Sequence, residues 1–347
     1  MMKLINRKGL INITVLLILL ITGCKSTTDI NDTTLPSNTM TAAESKKQTL
    51  QLALLAEQNN NLEQALLYYV AALEFDKGSA ETLYKIGDMQ NKLGNTQLAI
   101  RAFSESFAAD PNYVPTLTEM GIYSLEQKSV GKSKKLLTKA LELDQQRLQN
   151  KFLKIKHEQE PKTVEERRVK YEQQNLLKKN LADSIFLNLD NESPIKAYNV
   201  YGVINDLDGN HKVARDLFML VLKVKENSPL ILSNLGYSYY LSSDLILAAT
   251  YFKQAIDIDP NFTRAKSNLG LIYVRNGQYP RAIRLLTQIM TDAEAYNDVG
   301  YFLMLEGRYM EAEYFLQQAI ERSPSYFVKG NSNLENLKMY LEEKTGE

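Results

Sequence analysis

The sequence predicts an all-α protein, a solenoid in which antiparallel helix pairs stack side by side. Three observations lead there. A pattern of 34 residues recurs, with seven copies in a chain of 347 residues. Small residues return at two fixed places in each copy, where two helices would have to cross closely. Glycine, asparagine or proline closes the helices at regular intervals.

Taken from the N-terminus, residues 1–23 read as a secretory signal. Lys3, Arg7 and Lys8 precede an apolar run from Ile13 to Ile21, which is shorter than the roughly 20 residues a membrane span needs. The run ends Leu20-Ile21-Thr22-Gly23-Cys24, and Cys24 is the only cysteine of the chain. This ending resembles the lipobox of bacterial lipoproteins: an aliphatic residue three before the cysteine, then small residues, then the thiol. The resemblance implies a thioether to diacylglycerol at Cys24, cleavage before it, and N-acylation with a chain such as palmitate. Several acyl chains on one residue anchor a protein stably. Lys25, where the family uses Asp to retain proteins on the inner membrane, points to the outer membrane, with the chain facing the periplasm. Residues 24–44 are then the lipidated cysteine and a polar tether without periodicity.

The repeats follow. With the first residue of a copy as position 1, the clearest copy starts at Pro229 and carries Leu232, Leu235-Gly236, Tyr239, Ala248, Phe252, Ala255 and Pro260. Others start at Ala80, Val114, Thr263 and Ala293, with weaker ones near Lys46 and Ile195. Position 20 falls on Ala65, Ala99, Ser133, Ala214, Ala248, Ala282 and Ala312, at intervals of 34, 34, 81, 34, 34 and 30. Positions 4, 7, 8 and 11 share one face of a first helix, A. Glycine at 8 and alanine at 20 let helix A and the second helix, B, approach, and bulky groups at 7, 11 and 24 fill the surroundings. Gly94, Gly131, Gly209, Gly277 and Gly307 mark the A–B turns. The pattern resembles the tetratricopeptide repeat (TPR), which implies a right-handed superhelix with the A helices lining a groove.

Residues 45–144 thus hold three repeats and 195–328 hold four. Between them, residues 145–194 are an irregular insert, read as two charged helices, Gln145–Glu160 and Thr163–Leu187, split by Pro161. Residues 329–347 are a capping helix and tail, with Leu334, Leu337 and Leu341 turned onto the last repeat.

The composition argues against several functions. Lys+Arg and Asp+Glu are 41 each, and loss of residues 1–23 leaves 38 basic against 41 acidic residues. That gives no basic excess for nucleic acid. Val130-Gly131-Lys132-Ser133 imitates the end of a phosphate-binding loop, but Glu126 stands where its first glycine belongs. His157 and His211, the only histidines, have no ligand partners at metal spacing. The expectation is no enzyme, no catalytic residue, no metal, no cofactor and no small-molecule substrate.

Protein partners remain. Beside the packing face of helix A, the groove candidates are Ser233, Tyr237 and Tyr240; Ser267, Leu271 and Val274; then Asn297, Tyr301 and Met304. Tyrosine suits such a surface, with large apolar area and a polar tip, although Tyr237 and Tyr301 could instead pack between repeats. The run from Ser233 to Leu245, with Asn268-Leu-Gly-Leu-Ile-Tyr-Val-Arg-Asn-Gly-Gln-Tyr, resembles the TadD family. These are the TPR lipoproteins of the tight-adherence (Tad, or Flp pilus) machinery. The resemblance covers about residues 229–290, and residues 145–194 lie outside it. It implies a pilotin-like partner of a secretin or another pilus or secretion component. A type IV pilus pilotin similar to PilF, or an NlpI-like adaptor for envelope hydrolases and proteases, shares the same design.

Overall fold

A computed structural model describes residues 42–157 and 186–345, together with Glu165 and Arg168. The signal, Cys24, most of the tether and most of the insert lie outside the described residues. Among the described residues there are fifteen helices and no strand. The first three pairs are α1 (Ala42–Gln58) with α2 (Leu62–Phe75), α3 (Ala80–Lys92) with α4 (Thr96–Ala109), and α5 (Val114–Glu126) with α6 (Val130–His157). Four more pairs follow: α7 (Ile195–Leu207) with α8 (His211–Val224), α9 (Pro229–Leu241) with α10 (Leu245–Ile258), α11 (Thr263–Arg275) with α12 (Tyr279–Leu286), and α13 (Asp292–Leu305) with α14 (Tyr309–Glu321). A single helix, α15 (Val328–Thr345), closes the array. The all-α TPR solenoid that the sequence predicts is the fold observed.

The repeat positions explain the packing. A Cβ added at Gly87, Gly202 or Gly236 would meet Phe103, Phe218 or Phe252 at 2.5, 2.6 and 2.9 Å. Position 8 is therefore glycine in six pairs, with Ala53 in the first, because position 24 of helix B occupies the same space. Position 20 is buried in all seven pairs, from Ala65 to Ala312. Ser133, the exception in residue type, satisfies its hydroxyl by donating to the Gly121 carbonyl at 2.7 Å.

Each A–B turn contains one residue with positive φ, at position 15: Asn60, Gly94, Lys128, Gly209, Ser243, Gly277 and Gly307. These repeat at the intervals found for position 20. Gly131, read from the sequence as a turn marker, instead lies in the first turn of α6, and Lys128 takes the left-handed place. Side chains of Ser79, Ser228 and Asp244 cap α3, α9 and α10, and Thr291 with Glu294 forms a capping box on α13.

The two irregular intervals have distinct causes. The 30-residue step reflects α12, which holds 8 residues where α10 holds 14. At the long step, α6 runs unbroken for 28 residues. Gln145–His157 therefore prolongs helix B of the third pair rather than opening a new helix, since Leu143-Asp-Gln-Gln-Arg-Leu contains no breaker. Phe186–Asp190 is non-helical. The chain then returns to the array, and α7 packs on α5 and α6 in one core with Leu117, Leu137, Leu148, Tyr198 and Phe218.

Polar groups seal that junction. Arg147 donates to Asp144 at 2.7 Å, Asp190 at 2.6 Å and Glu192 at 2.8 Å. The Arg147 bonds, helped by Lys151, outweigh burial and hold the Asp190 carboxyl well below the usual range. The buried Tyr198 hydroxyl donates to Asp144 at 3.0 Å and accepts from the Gln145 amide at 2.7 Å.

Candidate functional site

The A helices of the C-terminal pairs line an open cavity of about 320 Å³, with walls from Val203, Leu207, Tyr237, Leu241 and Arg264 and with Ser233 at its floor. Helical geometry decides which positions reach it. At about 100° per residue, positions 2, 6, 9 and 13 fall on one arc, while 5 and 12 turn back toward the neighbouring A helix. Position 9 carries Val203, Tyr237, Leu271 and Tyr301; position 13 carries Leu207, Leu241, Arg275 and Leu305. Leu207 and Leu305 are 66% exposed, and Tyr237, Leu241 and Tyr301 between 36% and 41%. The result is an apolar stripe along four pairs. In the first three pairs the same two positions hold Leu54 and Gln58, Asp88 and Lys92, and Ile122 and Glu126, so the stripe belongs to the C-terminal group.

The sequence candidates divide along that arc. Tyr237 and Tyr301 face the groove, and Leu271 is half-buried within the stripe. Tyr240 stacks on Tyr237 with ring centroids 6.0 Å apart, under the Arg275 guanidinium at 5.4 Å, and burial raises its phenol above the ordinary range. Ser267 and Met304 are half-buried, Met304 against the core of the last pairs. Ser233 and Asn297 at position 5 and Val274 at position 12 are fully buried and offer no surface to a partner. Val274 packs in that core, and Asn297 accepts from Asn333 at 2.9 Å. The sequence reading missed Val203, Leu207, Leu241 and Leu305. Their spacing of one helical turn, position 9 to position 13, is the signal that identifies them.

Polar links between successive A helices border the stripe. A cation at position 2 reaches back to position 6 of the preceding pair: Lys196 to Glu119 at 2.8 Å, Arg264 to Asn234 at 3.2 Å, and Lys329 to Asp298 at 2.8 Å. The last of these places α15 in the register of an eighth helix A. A second cavity of about 370 Å³ lies at the junction, lined by Tyr84, Pro115, Thr118, Glu119, Arg147 and Lys196. Its charged groups are already paired with one another.

The remaining sequence features are structural. His211 bonds Asp206 at 2.9 Å beside the groove, and the Gly131-Lys132-Ser133 segment sits inside helix α6. Among the described residues, no cluster of His, Cys, Asp and Glu could hold a metal. No described helix is long and apolar enough to cross a membrane.

Comparisons with known proteins agree with this architecture. Tetratricopeptide-repeat family models match residues 50–114, 240–298 and 293–326. A search of curated proteins returned no match. Among solved structures, the APC/C hetero-tetramer Cut9–Hcn1 superposes with a TM-score of 0.50 at 15% identity, covering 85% of this chain and 52% of that one. A TPR protein from Parabacteroides merdae ATCC 43184 gives 0.48 at 14% identity over 85% and 99% of the two chains. PilW, a type IV pilus biogenesis factor, gives 0.42 at 14% identity over 83% and 98%. These likenesses concern the fold. With the helix pairing, the glycines at position 8 and the matched segments together, residues 50–114 and 240–326 carry tetratricopeptide repeats, and the described helices form a tetratricopeptide-repeat solenoid.

Proposed function

We propose that the protein is a non-catalytic scaffold that holds segments of other proteins against the C-terminal A-helix stripe. The observation that carries this reading is the concentration of apolar side chains at positions 9 and 13 in pairs four to seven, where Arg275 is the one polar residue, against Leu54 and Ile122 alone in pairs one to three. The same positions are mostly polar or charged in pairs one to three. A solenoid needs its inter-helix faces apolar, but it does not need an apolar groove.

In this reading Cys24 carries the lipid that fixes the scaffold to the outer membrane, and the tether sets its reach into the periplasm. The TadD-like run between residues 229 and 290 supports a place in pilus or secretion assembly, acting on a secretin. Deletion of the gene, followed by a blot for secretin multimers in outer-membrane fractions, tests this. Loss of multimers and of piliation is the expected result, and unchanged multimers would favour an adaptor for envelope hydrolases or proteases. Metabolic labelling with a palmitate analogue should mark the wild type and not Cys24→Ala.

A further inference from the structure

Position 18 opens helix B. In pairs one to four it holds Glu63, Gln97, Gly131 and Lys212, and in pairs five to seven it holds Ile246, Pro280 and Met310. Ile246 and Met310 are 82% and 80% exposed, more than any other large apolar side chain among the described residues. At about 100° per residue, positions 18 and 22 lie about 160° around helix B from the buried position 20, on the face turned away from the A helices. Position 22 carries Arg284 in pair six and Tyr314 in pair seven, both exposed, and Arg281 adjoins Pro280. Glu311, the carboxylate next to Met310, already accepts from Arg308 at 2.8 Å.

Single exposed apolar residues are ordinary, but these recur at one repeat position and add almost nothing to the packing. Side chains that anchor protein partners sit in well-packed pockets. Aliphatic groups standing proud of an outer face, with guanidinium groups and a tyrosine beside them, match surfaces that dip into the boundary of a bilayer. We infer that the B-helix face of pairs five to seven rests on a phospholipid bilayer, with Ile246 and Met310 entering the acyl boundary. Arg281, Arg284 and the Tyr314 hydroxyl then lie at the headgroups, where long side chains keep their polar ends in water. This rests on the proposed lipid at Cys24, which confines the chain to a membrane, and adds a second contact that fixes its orientation. The 17 residues between Cys24 and α1 span at most about 60 Å, so the solenoid can lie along the surface. The A-helix stripe opens away from the bilayer and stays accessible to protein partners.

The chain contains no tryptophan, so a single introduced tryptophan reports its own surroundings. Ile246→Trp, Met310→Trp and, on the groove side, Leu207→Trp are isolated from membranes of cells fed the palmitate analogue. Each is reconstituted into vesicles of phosphatidylethanolamine and phosphatidylglycerol with brominated acyl chains, which quench tryptophan on contact. Ile246→Trp and Met310→Trp should be quenched at least about threefold more than Leu207→Trp, with emission shifted to the blue. Tyr314→Trp should be quenched too, and should lose that quenching when Ile246→Asp and Met310→Asp are added, at an unchanged melting temperature. Equal quenching at Ile246, Met310 and Leu207, or none at Ile246 and Met310, would overturn the inference. Labelled protein without quenching would leave the anchor standing. Protein without label would remove the anchor, and the quenching ratio would still decide the contact. Protein adducts from Ile246 and Met310 in the cell would overturn the inference by giving this face to a protein partner.

Discussion

The Tyr198 hydroxyl donates to the Asp144 carboxylate at 3.0 Å, joining the first helix after the long interval to the last helix before it. Asp144 is buried, and its other oxygen accepts from Arg147 at 2.7 Å. The seven pairs therefore form one continuous stack, with the insert leaving and returning at a single seam. Tyr198→Phe removes one partner of a buried carboxylate. It should cost about 1–3 kcal/mol in urea unfolding, and an unchanged midpoint would show that the seam is not closed this way.

The helix crossing in the fifth pair sets a second expectation. Ala248 is fully buried where α9 meets α10, so Ala248→Leu should overpack the crossing and cost roughly 1–3 kcal/mol. Thermal unfolding measures it, and an unaltered transition would refute the register assigned to every pair.

Turn geometry gives an opposite sign. Ser243 adopts φ of 65° at a place where four of the pairs use glycine. A left-handed non-glycine residue costs about 1–2 kcal/mol, against about 0.5–1 kcal/mol of chain entropy for glycine. Ser243→Gly should therefore stabilise by about 0.5–1 kcal/mol, and Gly277→Ser should destabilise by a similar amount. Paired melting curves check both signs.

The repeat register was legible in the sequence because position 20 tolerates almost nothing but alanine, so the interval series appears directly. Turn positions were less so. Lys128 is left-handed because of its count from the repeat start, while Gly131 three residues later signals a turn by residue type alone. The groove was partly legible. Tyr237 and Tyr301 were placed by their spacing, but Val274 and Asn297 fall about 60° and 40° from position 9 around the helix, enough to turn them into the neighbouring pair. Leu207, Leu241 and Leu305 went unnoticed because a leucine at the end of a helix is indistinguishable by type from core. The buried, unpartnered Ser233 hydroxyl depends on which side chains reach across two helices, which no single repeat displays.

Acid should weaken the N-terminal end. Glu57 accepts from Tyr69 at 2.8 Å, Lys85 at 3.0 Å and Lys92 at 3.0 Å. Burial raises its pKa, but the bonds from Lys92, Lys85 and Tyr69 outweigh it and bring it from 4.5 to about 2. A carboxylate whose pKa is depressed by folding adds stability above its unfolded value, and that contribution fades as pH falls from 4.5 toward 2. Glu57→Gln should lower stability at pH 7 and flatten its decline across that window. A variant as stable as the wild type at pH 7, with the same acid slope, would remove Glu57 from this role.

Partners should meet the C-terminal stripe, and site-specific photocrosslinking in the cell tests this. A benzophenone amino acid is placed at Leu207, Tyr237 or Leu305 on the stripe. For comparison it is placed at Ile246 or Met310, B-helix residues that are 82% and 80% exposed. Adducts to another protein should form from the stripe positions and be absent from Ile246 and Met310. Adducts from Ile246 and Met310 with none from the stripe would place the partner surface on the B helices instead.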